Sequence, residues 1–440
     1  MISTTSKRII ITIFVILIIV LSLFFVLPKE HKLVINQKPS VEIKSPKDRS
    51  TVSNIIMITG DAHDPNADDS LVFVEIKIDN MNWEKVEGTT EWSYEWNTYS
   101  YNEGIYNISA RSWDGIDYSS IQEITVTVDN PETAETDSHK WAVFIAASNF
   151  PSDNESKLGN GALVLMEKMT KFFIENYKYS TSNIFILFDD GWIRSDNGYG
   201  EREQTLQQHT HEYSVTYGGA TQKNVELVIS RVISESNKFD DSEVFIWVSS
   251  HGSSDNHNRL TGGKIFENSE IFLWDTTLKD KDLGNMFFNL KSQKVCVIVD
   301  ACYSGGFADK TIFNFPEFFL LKSNIPEKGR VVITGSSKYR EGFASTTEGP
   351  LFSMLWFEGI KTGDADGFRP GFLKNGRPTR LNMFKDGKVS VEEAFYYARY
   401  ILNTNKDLKN YSKMQPQIND KYPRSGLLLS RKGLILGQQD

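Results

Sequence analysis

Val244-Phe245-Ile246-Trp247-Val248-Ser249-Ser250-His251-Gly252 and Val295-Cys296-Val297-Ile298-Val299-Asp300-Ala301-Cys302-Tyr303-Ser304-Gly305-Gly306 decide the fold. Each is an unbroken apolar run that ends in a short segment of small and polar residues. Runs of this kind are buried on both faces, as in a parallel sheet covered by helices, and not in a sheet that wets one side. Trp141–Ala147, Ile184–Phe188 and Val331–Thr334 read as further strands. Helical spacing occurs over Gly161–Tyr177 and at Val225, Val228, Ile229, Val232 and Ile233. From about residue 140 onward a three-layer αβα domain with right-handed crossovers is therefore expected.

In an open α/β sheet, chemistry collects beyond the carboxyl ends of the strands. There the two quoted runs deliver an imidazole, His251, and a thiol, Cys302. A thiol with its ordinary pKa of about 8.5 is mostly protonated at neutral pH and needs a base or a lowered pKa to act as a nucleophile. His251 can supply either. Gly252, Gly305 and Gly306 let backbone amides approach a substrate carbonyl, and the amides of Gly252 and Cys302 are the expected oxyanion donors. Taken singly, a strand-end His or a Cys in a strand-rich domain is more often structural, and Cys296, inside its apolar run, is that structural case. The coincidence of both groups at equivalent strand ends carries the catalytic reading.

The segments Ser250-His251-Gly252-Ser253 and Asp300 to Gly306 resemble the two catalytic blocks of the caspase-fold cysteine peptidases, and most closely the legumain family. Cys302 stands 51 positions after His251 (302 less 251), and caspases place the two about 50 apart. The resemblance covers roughly Lys140 to Leu429 and implies peptide-bond hydrolysis through an acyl-enzyme. Val143 to Asn149 resembles the first legumain strand, which gives Asn149 the role of orienting His251. Ile333 to Ser337 resembles the strand whose end lines the substrate pocket, which assigns Ser336 and Ser337 to substrate binding. Asp300 resembles the aspartate of metacaspase-like and clostripain-like members that accept basic side chains, its unpartnered carboxylate being completed by a substrate cation. The resemblance thus implies cleavage after Arg or Lys, with Asn as runner-up and Lys157 near the asparagine pocket of legumain. Legumains carry an acid just before the His, where this chain has Ser250.

Before residue 140 the pattern changes. From 39 to 130, short runs such as Val72-Phe73-Val74-Glu75-Ile76-Lys77-Ile78 and Ile124-Thr125-Val126-Thr127-Val128 alternate with period two, as in an antiparallel immunoglobulin-like β-sandwich. Trp83, Trp92, Trp96 and Trp113 are its expected core bulk, and a polar linker over 131–139 separates it from the peptidase domain at 140–440. Residues 9–27 are apolar apart from Thr12 and Ser22, long enough to span a bilayer, and Lys7 and Arg8 precede them. We read residues 1–8 as a cytoplasmic tail, 9–27 as an uncleaved transmembrane anchor, and the remainder as outside the cytoplasm.

The formal charge of −9 excludes a sequence-independent grip on nucleic acid, which needs a basic surface. Two cysteines in 440 residues exclude a disulfide framework. No cofactor is required by the dyad. Asp386-Gly387 and Glu393 match part of an EF-hand loop, and Asp364 and Asp366 lie nearby, so these four are candidate calcium ligands. The favoured reading is instead a turn in which Ser390 caps a helix and Glu393 completes a capping box. The expected partners are protein or peptide substrates and the membrane. An inert adhesion protein and a transpeptidase on the same dyad are the competing functions.

Overall fold

In the computed structural model, residues 12, 15, 36–66, 71–130, 138–150, 157–254, 268–308, 323–370, 379–381, 384–422 and 433–438 are described. The predicted anchor at 9–27 lies outside them apart from Thr12 and Val15, as do residues 131–137 of the predicted linker. Among the described residues no helix is long and apolar enough to cross a membrane.

Nine strands build the first domain: β1 Ser40–Ser45, β2 Thr51–Val52, β3 Ile55–His63, β4 Phe73–Ile78, β5 Glu84–Lys85, β6 Glu87–Gly88, β7 Glu91–Asn97, β8 Gly104–Trp113 and β9 Gln122–Val128. They form two facing sheets, ordered β1-β3-β7-β6 and β2-β9-β8-β4-β5. Period-two alternation turns Trp92 and Trp96 into the shared core with Ile58, Val74, Ile108 and Val126. Trp83 and Trp113 are not in that core. Both are half-buried at the surface, where the Arg111 guanidinium lies 4.3 Å from the Trp83 ring and Trp113 packs 4.5 Å from Tyr118.

The second domain is built on a seven-stranded sheet of β10 Lys140–Ala147, β11 Ile184–Phe188, β12 Thr216–Gly218, β13 Glu243–Ser250, β14 Lys294–Asp300, β15 Arg330–Thr334 and β16 Gln417–Asp420. Its order is β12-β11-β10-β13-β14-β15-β16, and only β16 runs antiparallel. Alternate residues enter opposite cores. Phe144, Phe245, Trp247, Cys296 and Ile298 meet helices α1 Gly161–Tyr177, α4 Leu351–Thr362 and α5 Val391–Thr404. Val143, Ile246, Val297 and Val299 meet α2 Gln222–Ser236 and α3 Asp280–Met286. The chain starts at β10, fills one side, then returns to fill the other, so the order reverses between β10 and β13. That reversal opens the crevice at which open sheets place their ligands.

The sandwich is docked on the β12 edge. Ile55 joins the core beneath α2, Tyr99 packs against Phe185, and the Gln207 amide donates to the Ile55 carbonyl at 3.1 Å. Glu95 reaches across to accept from Gly219 N at 2.6 Å and from the Asn224 amide. Desolvation pushes the Glu95 carboxyl up to about 7, against the pull of those donors. Stability that this group contributes is therefore complete below pH about 4.5 and is lost as pH rises through about 7. Docking is expected to weaken over that window, by about 1–2 kcal/mol after discounting for partial exposure. Limited proteolysis of the interdomain junction across pH measures it, and Glu95→Gln should flatten the profile; an unchanged slope would remove Glu95 from the explanation.

Candidate active site

Parallel pairing of β13 with β14 sets Ser249 opposite Asp300. His251 and Cys302 each lie two residues further on, so the register places them side by side just past the ends of adjacent central strands, which run about 4.8 Å apart. Close approach is visible in the backbone. A Cβ at Gly252 would meet the Cys302 carbonyl oxygen at 2.1 Å, so only glycine allows the two strand exits to touch.

The thiol is partly buried. Its Sγ accepts from Gly342 N at 3.3 Å, which favours the thiolate, but burial outweighs this and pushes the thiol pKa up, aided by the nearby Glu341 and Asp300. Cys302 is thus a thiol awaiting a base. Cys296 is fully buried and its pKa is driven far higher, as expected of a structural cysteine. Directly after Cys302, Tyr303 adopts φ 57°, the left-handed region, with its N–H on the Arg340 carbonyl and its hydroxyl 3.3 Å from Glu341. Such backbone strain is concentrated at functional sites.

The other predicted site residues divide. Asn149 sits at the end of β10, completely buried, but its amide nitrogen donates to Asp189 at 2.8 Å and to Asn160 at 3.0 Å. The side chain whose ring lies against His251 is the next residue, Phe150, at 6.2 Å, itself stacked on Trp274. Ser336 is buried and fastens the loop that carries Cys302, donating to the Ala301 carbonyl at 2.7 Å and accepting from Ser304 N. Ser337 is also buried, with its N–H on the Met414 carbonyl. Ser336 therefore braces the Cys302 loop from behind, while Ser337 ties this strand exit to the segment at Met414. The Lys157 carbonyl accepts from the Tyr199 hydroxyl at 3.1 Å, and no described contact links its ammonium to the dyad.

Asp300 requires a correction. Its carboxylate is not unpartnered: Oδ2 accepts from both the backbone N–H and the hydroxyl of Ser353, in the first turn of α4, at 2.8 and 2.7 Å. Trp247 donates to the same hydroxyl at 2.9 Å. Gly335 is pressed against the other oxygen, where a Cβ would come within 1.9 Å. Burial still holds the carboxyl up at about 6. The argument that a substrate cation must complete the pair therefore fails, because a helix N-terminus already does so. Phe150, Gly342 and Ser353 were all missed in the sequence. Phe150 alone had a signal there, as an aromatic at a strand exit.

Of the calcium candidates, Asp366, Asp386 and Glu393 each accept hydrogen bonds from within the chain. Ser390 caps α5 and Glu393 closes the capping box, while Glu393 Oε1 also accepts from Gly367 N and pairs with Arg369 at 2.7 Å. Asp366 accepts from the amides of Asp386 and Gly387, each at 3.1 Å, and Asp364 lies on the turn after α4.

Residues 139–353 match the caspase domain family. The chain carries a caspase-like domain. Residues 39–110 match the bacterial Ig domain family, so the docked sandwich is Ig-like. No curated protein matches the chain. Among solved structures, caspase-1 from Spodoptera frugiperda is similar at 10% identity over 64% of this chain and 86% of its own, with TM-score 0.35. The PKD1 domain of a Vibrio cholerae metalloprotease is similar at 18% identity, over 22% of this chain and 99% of its own, with TM-score 0.15. An endo-beta-1,4-mannanase from Thermotoga petrophila is similar at 12% identity and TM-score 0.20, over 22% of this chain, and the match spans only 20% of the mannanase.

Proposed function

We propose that this chain is a membrane-anchored, extracytoplasmic cysteine endopeptidase of legumain-like character. The observation that carries the activity is the register of β13 on β14, which puts a histidine and a partly buried, amide-contacted thiol at adjacent strand exits inside a caspase-like domain. His251 takes the Sγ proton as Cys302 attacks the substrate carbonyl, and the amides of Gly252 and Cys302 hold the oxyanion. His251 then protonates the leaving amine, and water, deprotonated by the same imidazole, releases the acyl group. Asn149 acts through the Asp189 network rather than by its own bond to the imidazole.

For the substrate we retain cleavage after Arg or Lys, with Asn the alternative, and move the recognising carboxylate from Asp300 to Glu341. Glu341 is exposed, borders the thiol electrostatically and is held toward it by the Tyr303 hydroxyl. The anchor rests on the apolar run at 9–27.

Profiling a peptide library with the purified chain, beside Cys302→Ala, tests the whole reading. Cleavage that is absent in the variant supports an endopeptidase, whereas equal cleavage ends it; amide products formed with added amines would favour a transpeptidase, and silence in both an inert scaffold. Membrane fractions washed in high salt should retain the protein until detergent is added.

A further inference from the structure

We propose that Glu167, His209 and His211 form a binding site for a divalent first-row transition ion, zinc in the first instance, which fastens the segment 206–215 to helix α1. Among the described residues this is the one group of three or more potential ligands so gathered, one ligand atom from each lying within 4.8 Å of the others. His211 Nδ1 is 3.1 Å and His209 Nε2 3.9 Å from Glu167 Oε1. Metal–ligand distances of about 2.0–2.2 Å in a tetrahedron require ligand atoms about 3.3–3.6 Å apart. The two separations bracket that value, so small side-chain rotations close the site.

Hydrogen bonding dictates what faces the centre. His211 Nε2 lies 2.5 Å from the Leu206 carbonyl, which can only accept, so Nε2 carries hydrogen. In the neutral ring Nδ1 then aims a lone pair at a carboxylate oxygen that is also only an acceptor. Two acceptors at this distance call for a cation, either a proton or a metal ion. The second imidazole, facing the same oxygen, points to the metal. The nitrogen of the Gln204 amide is 3.0 Å from its Nδ1; a half-turn of that amide presents the oxygen instead, which would hold Nδ1–H and leave Nε2 to ligate, the outer partner that metal-bound histidines keep.

Stacking of His211 on Tyr217, with ring centroids 3.7 Å apart, fixes the imidazole plane. An open cleft of about 340 Å³ bordered by Glu167, His211 and Tyr217 leaves room for water as the fourth ligand. Lys171, on the same cleft, is neutralised by Glu175 and Glu212. Two imidazoles and one carboxylate suit zinc and its neighbours and not calcium or magnesium, which take oxygen ligands. Gln207, between the two ends of the clamped segment, is the residue that grips Ile55 of the Ig-like domain. Metal binding thereby secures the loop on which the domains dock.

The test uses the full chain carrying Cys302→Ala, which removes the active-site thiol as a rival ligand, stripped with chelator. Cobalt(II) titration should give visible d–d absorption that saturates, and zinc should displace it with measurable heat. His209→Ala and Glu167→Gln, both at partly exposed positions that leave the Tyr217 stack in place, should each weaken binding by more than about 100-fold, beyond the roughly 10–100-fold cost of losing an outer partner, and Gln204→Ala should fall within that range. Absence of a d–d band, with histidine NMR signals unmoved by zinc, would overturn the proposal. Equal affinity in parent and ligand variants overturns it as well.

Discussion

His251→Ala is expected to lower kcat/KM by about ten-thousand-fold, and Cys302→Ala by at least as much, since members of a catalytic unit fail together. The physical reason is the resting state of the thiol. Burial raises the Cys302 pKa, and the backbone N–H groups of Gly342 and Cys302 do not reverse it, so without the imidazole the nucleophile stays protonated at neutral pH. Alkylation of Cys302 should therefore slow in His251→Ala and recover only as pH rises above the ordinary thiol range. Cys296, deep in the core beneath α4 and α5, should label only on unfolding. Iodoacetamide labelling followed by peptide mass spectrometry reads both sites at once. Equal labelling of the two cysteines in the native protein, or an alanine variant that keeps its turnover, would falsify the dyad.

Asp300→Asn is expected to act on stability and not on specificity. The native carboxyl is held up at about 6 from an ordinary 3.8, so its contribution is full below pH about 3.8 and is lost as pH rises through about 6. The wild-type protein should lose about 3 kcal/mol over that window through this group. The asparagine variant, which resembles the protonated acid and can still accept from Ser353 N, should show little of that slope in denaturant titrations. Cleavage after Arg or Lys should survive it within a few-fold, whereas Glu341→Gln should cost roughly tenfold in kcat/KM, about 1.4 kcal/mol, on basic substrates alone. Loss of basic cleavage in Asp300→Asn with none in Glu341→Gln would return recognition to Asp300.

The contrast between His251 and Asp300 shows what was legible in the sequence. Strands, their two-sided burial and the placing of His251 and Cys302 at adjacent strand exits could be read because each depends on local pattern and on a register that follows from strand ends. What Asp300 touches could not, because its partner is 53 positions away at the start of a helix with no capping signature. Ser336 looks like a pocket residue in isolation and becomes a brace only when the loop at Ala301 folds onto it. The docking of the Ig-like domain was hidden for the same reason: Glu95 and Ile55 sit in runs that alternate like any sandwich strand. In the case of Ser390 and Glu393, a cap written within four consecutive residues was enough, and the structure forms it.

Tyr303 carries one more implication, for anyone engineering this domain toward heat resistance. A non-glycine residue in the left-handed region costs about 1–2 kcal/mol, and at φ 57° glycine would relieve it. A screen that rewards thermal survival alone will therefore drift toward glycine at 303. Such winners lose the phenol that holds Glu341 beside the thiol and gain backbone freedom one residue after the nucleophile. Hardiness and catalysis pull this single position in opposite directions, so selection rounds here need an activity gate at every step.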